Sequence, residues 1–159
     1  MDERKPRAIE AAKVPVTVGR PGYPEPLRER VAGRERRALG DFFGLANFGV
    51  NLTRIAPGSA SALRHAHSRE DELVYILEGE PTLVTAAGES LLRPGMCAGF
   101  KAGSGEAHHL LNRSGRDVVL LEIGDRKEGD TVVYPDDDLG RAISPEGRRI
   151  FVHKNGSPY

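Results

Sequence analysis

The sequence predicts an all-β protein, a sandwich or small barrel, on three observations. Its 19 glycines and 11 prolines interrupt the 159-residue chain too often for a helix bundle. Apolar runs of about five residues recur roughly every eight to twelve positions, with turn residues between them. No repeat of fixed period is visible. The length suits one domain able to bury roughly 70% of its unfolded surface.

The chain divides into three predicted regions. For residues 1–44 we predict an irregular arm with edge strands, because prolines interrupt any long helix or central strand. The arm includes a short helical turn over residues 26–32, which Gly33 ends. Residues 45–124 predict the barrel core, and residues 125–159 a tail that packs on the barrel or on a partner subunit.

Alternation defines the first core strand, over residues 45–55. Its apolar positions are Phe48, Val50 and Leu52, and its polar positions are Asn47, Gly49, Asn51 and Thr53. Further strands are predicted over residues 73–77, 82–86, 90–93, 96–102, 107–113 and 117–123, with edge strands in the tail over 131–134 and 148–152.

Composition excludes several classes of function. Twenty-three basic residues balance 23 acidic ones, so no overall charge draws the protein to nucleic acid or to anionic lipid. No apolar run is long enough to span a bilayer, and the first residues lack the apolar core of a signal peptide, so we expect a cytoplasmic protein. Cys97 is the only cysteine, which rules out an internal disulfide and a thiol-rich zinc site.

The strongest chemical signal is the pair His65 and His67. In an extended segment these two imidazoles leave the same face. Glu72 opens the next apolar run, after a polar turn, and can reach back toward them. Two imidazoles and a carboxylate suit a divalent transition metal, namely iron, manganese, nickel, copper or zinc, at one ion per chain.

A further ligand is expected from the pair His108 and His109. Neighbouring residues on a strand point to opposite faces, so only one of them can face the metal without a bulge. His108 shares its face with Leu110 and Asn112. We therefore favour His108 and keep His109 as the alternative.

These residues fall in two motifs that resemble those of the cupins, a family of small β-barrels. The first reads Gly58, six residues, His65-Ala66-His67, four residues, Glu72, six residues, Gly79; one gap is one residue longer than in the family. The second reads Gly95, five residues, Lys101-Ala102-Gly103, four residues, His108, three residues, Asn112. Here Lys101 replaces a proline, and the loop before His108 is two residues longer.

The resemblance is to small single-domain bacterial cupins of the conserved-barrel type. It implies a cupin double-stranded β-helix, or jelly-roll barrel, with metal ligands His65, His67, Glu72 and His108. It also implies a homodimer. The motifs cover the middle third of the chain closely and the flanks loosely.

Three imidazoles and one carboxylate leave coordination positions open, which is typical of catalytic metal sites. We therefore expect a metal-dependent enzyme acting on a small molecule. It would be either dioxygenase-like, as the resemblance to cupin dioxygenases implies, or a Lewis-acid isomerase, cyclase or lyase. The alternative is a non-catalytic barrel that binds or senses a small ligand. The candidates for a further catalytic group are weak: Glu106, Tyr75 and Lys101.

Overall fold

The regular secondary structure of the described residues is mostly β-strand with almost no helix, which confirms the predicted fold class. The computed structural model describes residues 6–17 and 22–159, so the arm predicted over residues 1–44 lies partly outside the described residues. The described residues contain no helix with the length and apolar character needed to cross a membrane. The strands are β1 Arg34–Ala38, β2 Phe48–Ile55, β3 Ala66–His67, β4 Glu72–Glu78, β5 Thr82–Thr85, β6 Gly88–Leu91, β7 Cys97–Phe100, β8 His109–Leu111, β9 Val118–Asp125, β10 Val132–Val133, β11 Gly140–Ile143 and β12 Arg149–Val152. The helices are a short α1, Leu39–Phe42, and two 3₁₀ turns, Ala11–Lys13 and Leu27–Val31.

Antiparallel pairing joins the strands into two larger and two smaller sheets. The larger sheets have the orders β1-β2-β9-β4-β7 and β6-β5-β8. Strand β3 pairs with β10, and β11 pairs with β12. The region predicted as an arm thus supplies β1, at one edge of the five-stranded sheet, and the region predicted as a tail supplies β10 to β12.

Two buried clusters fill the molecule. One lies between the two larger sheets and comprises Ile55, Val74, Ile76, Leu92, Leu110, Val118 and Leu120. The other joins the arm and the tail to the segment before β3 and comprises Tyr23, Val31, Ala60, Leu63, Val132, Tyr134 and Leu139. Each fully buried aliphatic side chain contributes about 1.5–3 kcal/mol. The arm and the tail are therefore part of the hydrophobic core.

Strand β2 faces the interior mainly with the side that the sequence pattern marks as polar. Thr53 is fully buried, and Asn51 and Gly49 line an internal cavity. Phe48, on the opposite side, is 44% exposed. The apolar positions of β2 therefore face away from the interior, because this part of the barrel encloses a polar site rather than a packed core.

Gly79, the last residue of the first motif, shows why that motif requires a glycine. Its φ is +78°, a conformation that L side chains rarely adopt. A Cβ atom at this position would lie 2.6 Å from the Asp117 carbonyl oxygen. Only glycine allows the chain to leave β4 this close to the start of β9.

Candidate metal centre

Backbone pairing places His65 beside His108. The His65 N–H donates to the His108 carbonyl at 3.1 Å, and the His108 N–H donates to the His65 carbonyl at 2.9 Å. The centroids of the two rings lie 5.0 Å apart. His67 projects from the same side as His65, as the i, i+2 spacing predicts, with ring centroids 5.1 Å apart.

Glu72, the first residue of β4, completes the cluster. Its Oε2 atom lies 3.5 Å from His65 Nε2, 3.6 Å from His67 Nε2 and 3.1 Å from His108 Nε2. One ligand atom from each of His65, His67 and Glu72 lies within 4.8 Å of the others, a group able to hold a metal ion. The structure thus brings together all four residues predicted as ligands.

The outer nitrogens of two histidines fix their tautomers. His65 Nδ1 lies 2.8 Å from the Leu63 carbonyl oxygen, and His67 Nδ1 lies 2.6 Å from Asp130 Oδ2. Both oxygens are acceptors, so each Nδ1 carries its proton and donates it. In the neutral rings, the Nε2 atoms that face Glu72 therefore carry lone pairs.

Lone pairs that face a carboxylate oxygen require a cation or a proton between them. Glu72 Oε2 is buried and has no hydrogen-bond partner among the described residues. Burial raises the pKa of Glu72, but contacts with His108 and His65, and the charge of the histidines when protonated, outweigh burial and hold this pKa well below its usual range. Ligand atoms bound to one ion at about 2.0–2.2 Å lie about 3–3.5 Å apart, which agrees with these distances. The donor set therefore fits a divalent metal.

His108, not His109, faces the cluster. The His108 side chain is buried, and its ring stacks on Phe100 with centroids 3.3 Å apart. His109 points the other way, where its Nδ1 lies 3.2 Å from the Ala62 carbonyl oxygen. Burial lowers the pKa of His109. The longer loop before His108 does not change which side of the strand this residue faces.

The cluster opens into a cavity of about 780 Å³ that also contains Glu122. Glu122 lies on the inner face of β9, where it accepts a hydrogen bond of 2.8 Å from the Thr53 hydroxyl. Arg36 Nη2 lies 3.1 Å from the same Oε2 atom of Glu122. The two contacts fix a carboxylate that faces the space beside the histidines.

Sequence reasoning missed two acidic residues of the site. Glu122 has a visible signal, since it is the only charged residue within the apolar run VVLLEI. Asp130 has none, because it reaches His67 from a polar segment 63 positions away. Such a carboxylate orients a ligand imidazole and makes it more basic. His67, Glu70 and Asp130 form a second group with metal-binding geometry, but it shares His67 with the first.

The weaker candidates lie at different distances from the cluster. Glu106 and Lys101 line a separate crevice of about 10 Å³ beside His67, Glu72 and His108, with room for about one water molecule. Tyr75 is 39% exposed on the outer face of the sheet, away from the cluster, as its position on the strand predicts.

Asn112 fixes the turn after β8 through hydrogen bonds to the backbone. Its amide nitrogen donates to the carbonyls of Ile55 and Arg116, at 2.7 and 2.8 Å, and its amide oxygen accepts from Ser114. This residue therefore fixes the end of β8 and does not face the cavity.

Fold and sequence comparisons define the class of protein. A family model for the cupin domain matches residues 51–124. The structure resembles that of a sugar phosphate isomerase from a cupin superfamily, from Silicibacter pomeroyi, with 36% identity, coverage of 96% of each chain and a TM-score of 0.84. The chain belongs to the cupin superfamily, and its fold is the cupin jelly-roll barrel.

Two further solved structures are similar. A protein provisionally described as a sugar phosphate isomerase, from Acidithiobacillus ferrooxidans, is 32% identical over 79% of this chain and 80% of its own, with a TM-score of 0.69. A polyketide cyclase from Streptomyces resistomycificus is 18% identical over 81% and 84% of the two chains, with a TM-score of 0.66, and shares the fold. The comparison with curated proteins gave no match.

Proposed function

We propose that the protein is a metal-dependent isomerase of a small phosphorylated hydroxy-carbonyl compound. The observation that carries this proposal is the convergence of three imidazoles and Glu72 at a cavity that also holds the carboxylate of Glu122. The two relatives described as sugar phosphate isomerases support the substrate class. Of the two predicted enzyme classes, this proposal selects Lewis-acid chemistry over oxygen chemistry.

In this proposal His65, His67, His108 and Glu72 hold one divalent ion. The ion, when bound, supplies a Lewis acid that polarises the carbonyl of the substrate. Asp130 and the Leu63 carbonyl keep the Nε2 atoms of His67 and His65 turned toward the centre. The protein thus contributes a fixed, partly buried ligand set.

Glu122 is the proposed proton carrier. It lies across from Val74 on the neighbouring strand, two residues along from Glu72, so its Cβ is about 7–8 Å from that of Glu72. Isomerisation moves one proton from the hydroxyl-bearing carbon to Glu122 and back to the former carbonyl carbon. A second proton moves between the two oxygens. The reaction consumes no oxidant or reductant.

The test measures carbon–proton exchange in D₂O by NMR, using a panel of aldose and ketose phosphates. We expect the wild type to incorporate deuterium next to the carbonyl, and Glu122→Gln to lose at least about 100-fold in rate while retaining metal. Glu89→Gln, an exposed carboxylate of β6 that pairs with Arg113 outside the cavity, is the control and should stay within about threefold of wild type. Binding without exchange across the panel would instead support the non-catalytic barrel, and oxygen uptake would support the dioxygenase class.

We also propose that the chain forms a homodimer through the outer face of its five-stranded sheet. Phe48, Leu73, Tyr75 and Leu77 lie on this face, and each is 39–44% exposed. Neighbouring positions Leu52 and Leu121 extend the apolar surface across the paired strands. A continuous apolar surface of this kind is characteristic of protein–protein interfaces.

A further inference from the structure

The cavity beside the metal cluster carries an unusual number of arginines for a chain with no net charge. Arg36 pairs with Glu122, and Arg126 pairs with Asp41. Arg34, Arg141, Arg148 and Arg149 line the same cavity.

The C-terminal hairpin β11–β12 supplies two of these arginines to the rim of the cavity. Arg141 pairs with Phe151, and Arg149 precedes Phe151 by two residues, so the two arginines lie diagonally across one face of the hairpin. This geometry puts their Cβ atoms about 7–8 Å apart. Neither forms an ion pair with a carboxylate within residues 6–17 and 22–159.

Aromatic rings hold Arg141 in place. Its guanidinium carbon lies 5.5 Å from the centroid of Phe151 and 6.0 Å from that of Tyr134. Arg34 approaches the same region from β1, on the inner face of the sheet, and donates to the Ser61 carbonyl. Cations from two separate parts of the chain therefore converge on one side of the cavity, beside Tyr134.

We propose that this side of the cavity is a phosphate subsite, in which Arg141 and Arg149 bind the phosphate of the substrate and thereby determine its specificity. The proposal rests on the proposed function and deepens it. A guanidinium offers a planar fork of donors that matches phosphate oxygens, so two of them at this spacing suit a dianion. A cavity of about 780 Å³ lies within the range of small-molecule sites. The substrate would lie with its carbonyl at the histidines and its phosphate at the hairpin.

Calorimetry with ribose 5-phosphate and unphosphorylated ribose tests the subsite on the full chain as purified. The wild type should bind the phosphorylated sugar at least about 100-fold more tightly than ribose. Arg141→Gln and Arg149→Gln should each weaken binding of ribose 5-phosphate about 10-fold or more, and inorganic phosphate should compete with it. Arg93→Gln, an exposed arginine in the turn between β6 and β7, is the matched control and should bind as wild type does.

Metal content and D₂O exchange, measured on the same samples, separate the two proposals. If the glutamine variants keep their metal and lose the preference for the phosphorylated sugar, the subsite stands. If the wild type binds ribose 5-phosphate through these arginines but exchanges no proton with any sugar phosphate, the isomerase fails and the subsite stands. If both variants bind within about twofold of wild type, or the wild type does not distinguish ribose 5-phosphate from ribose, the subsite is overturned. Thermal unfolding checks that each variant is folded.

Discussion

At the residue scale, the chemistry of the site depends on which atoms face inward. In their neutral form, the imidazoles of His65 and His67 donate from Nδ1 on their outer side and carry a lone pair on Nε2 on their inner side. These Nε2 atoms lie close to the buried Oε2 atom of Glu72, which has no hydrogen-bond donor among the described residues. A divalent ion satisfies this arrangement. Without one, the buried His108 imidazole, the partly buried imidazoles of His65 and His67 and the carboxylate would be satisfied only by taking up protons.

Asp130 is expected to act through His67. Because its carboxylate accepts the Nδ1 proton at 2.6 Å, Asp130→Asn should weaken metal binding about 10- to 100-fold without removing a ligand. Asp138→Asn is the matched control, since Asp138 makes an equivalent 2.8 Å contact with His153 far from the cluster. Competition with a chromogenic chelator measures both affinities. Equal affinities in the two variants would show that Asp130 does not support the site.

At the element scale, ion pairs join the loop after β10 to the segment before β3 and to the 3₁₀ turn Leu27–Val31 of the arm. Arg64 donates two hydrogen bonds of 2.6 Å to Asp136, and Arg30 donates two to Asp137, at 2.6 and 3.2 Å. These contacts fix the tail against the chain that leads into the histidines. The tail therefore stabilises the elements that hold the site.

The Arg64–Asp136 pair predicts a pH dependence of stability. The hydrogen bonds from Arg64 lower the pKa of Asp136, so the unfolded chain takes up a proton at higher pH than the folded one. The stabilisation is complete above about pH 5, beyond the ordinary carboxyl pKa, and is lost as pH falls through the lowered pKa. Asp136 is half exposed, so Asp136→Asn should cost only about 0.5–1 kcal/mol at pH 7 and less at pH 3, below the ordinary carboxyl pKa. Urea unfolding at the two pH values measures this, and an equal cost at both would contradict it.

The elements show what sequence reasoning can and cannot supply. The strands of residues 72–125 are predictable because alternation and turn glycines act locally, as at Gly79. Strand β1 is not, since RERRA reads as a charged surface run; its inner arginines are tolerated because they line a polar cavity. Strand β11 has no apolar alternation, and its pairing with β12 depends on a partner close in space.

The candidate site could be predicted only where local sequence patterns define it. Its four main side chains follow from strand parity and from two motifs. Asp130, Glu122 and the arginines of the hairpin come from segments that converge only in three dimensions. No spacing rule connects Asp130 to His67 or Arg141 to the cavity.

At the scale of the whole molecule, one face of the barrel encloses the site and the other presents an apolar surface. If that surface forms the proposed homodimer, Leu73→Glu should convert a dimer to a monomer, because a charge at the centre of an apolar interface is left desolvated. Leu91→Glu, which changes an exposed leucine on β6 of the other sheet, is the control and should remain dimeric. Size-exclusion chromatography with light scattering gives the mass of each. A monomeric wild type, or a dimeric Leu73→Glu variant, would contradict the proposed interface.

The most direct test of the metal centre is elemental analysis of protein purified without chelator, as wild type, His108→Ala and His109→Ala. We predict about one divalent transition-metal ion per chain in the wild type and in His109→Ala, and almost none in His108→Ala, because only His108 faces Glu72. Wild-type protein that stays empty after incubation with iron, manganese, nickel, copper and zinc, or metal lost from His109→Ala and kept by His108→Ala, would contradict the account.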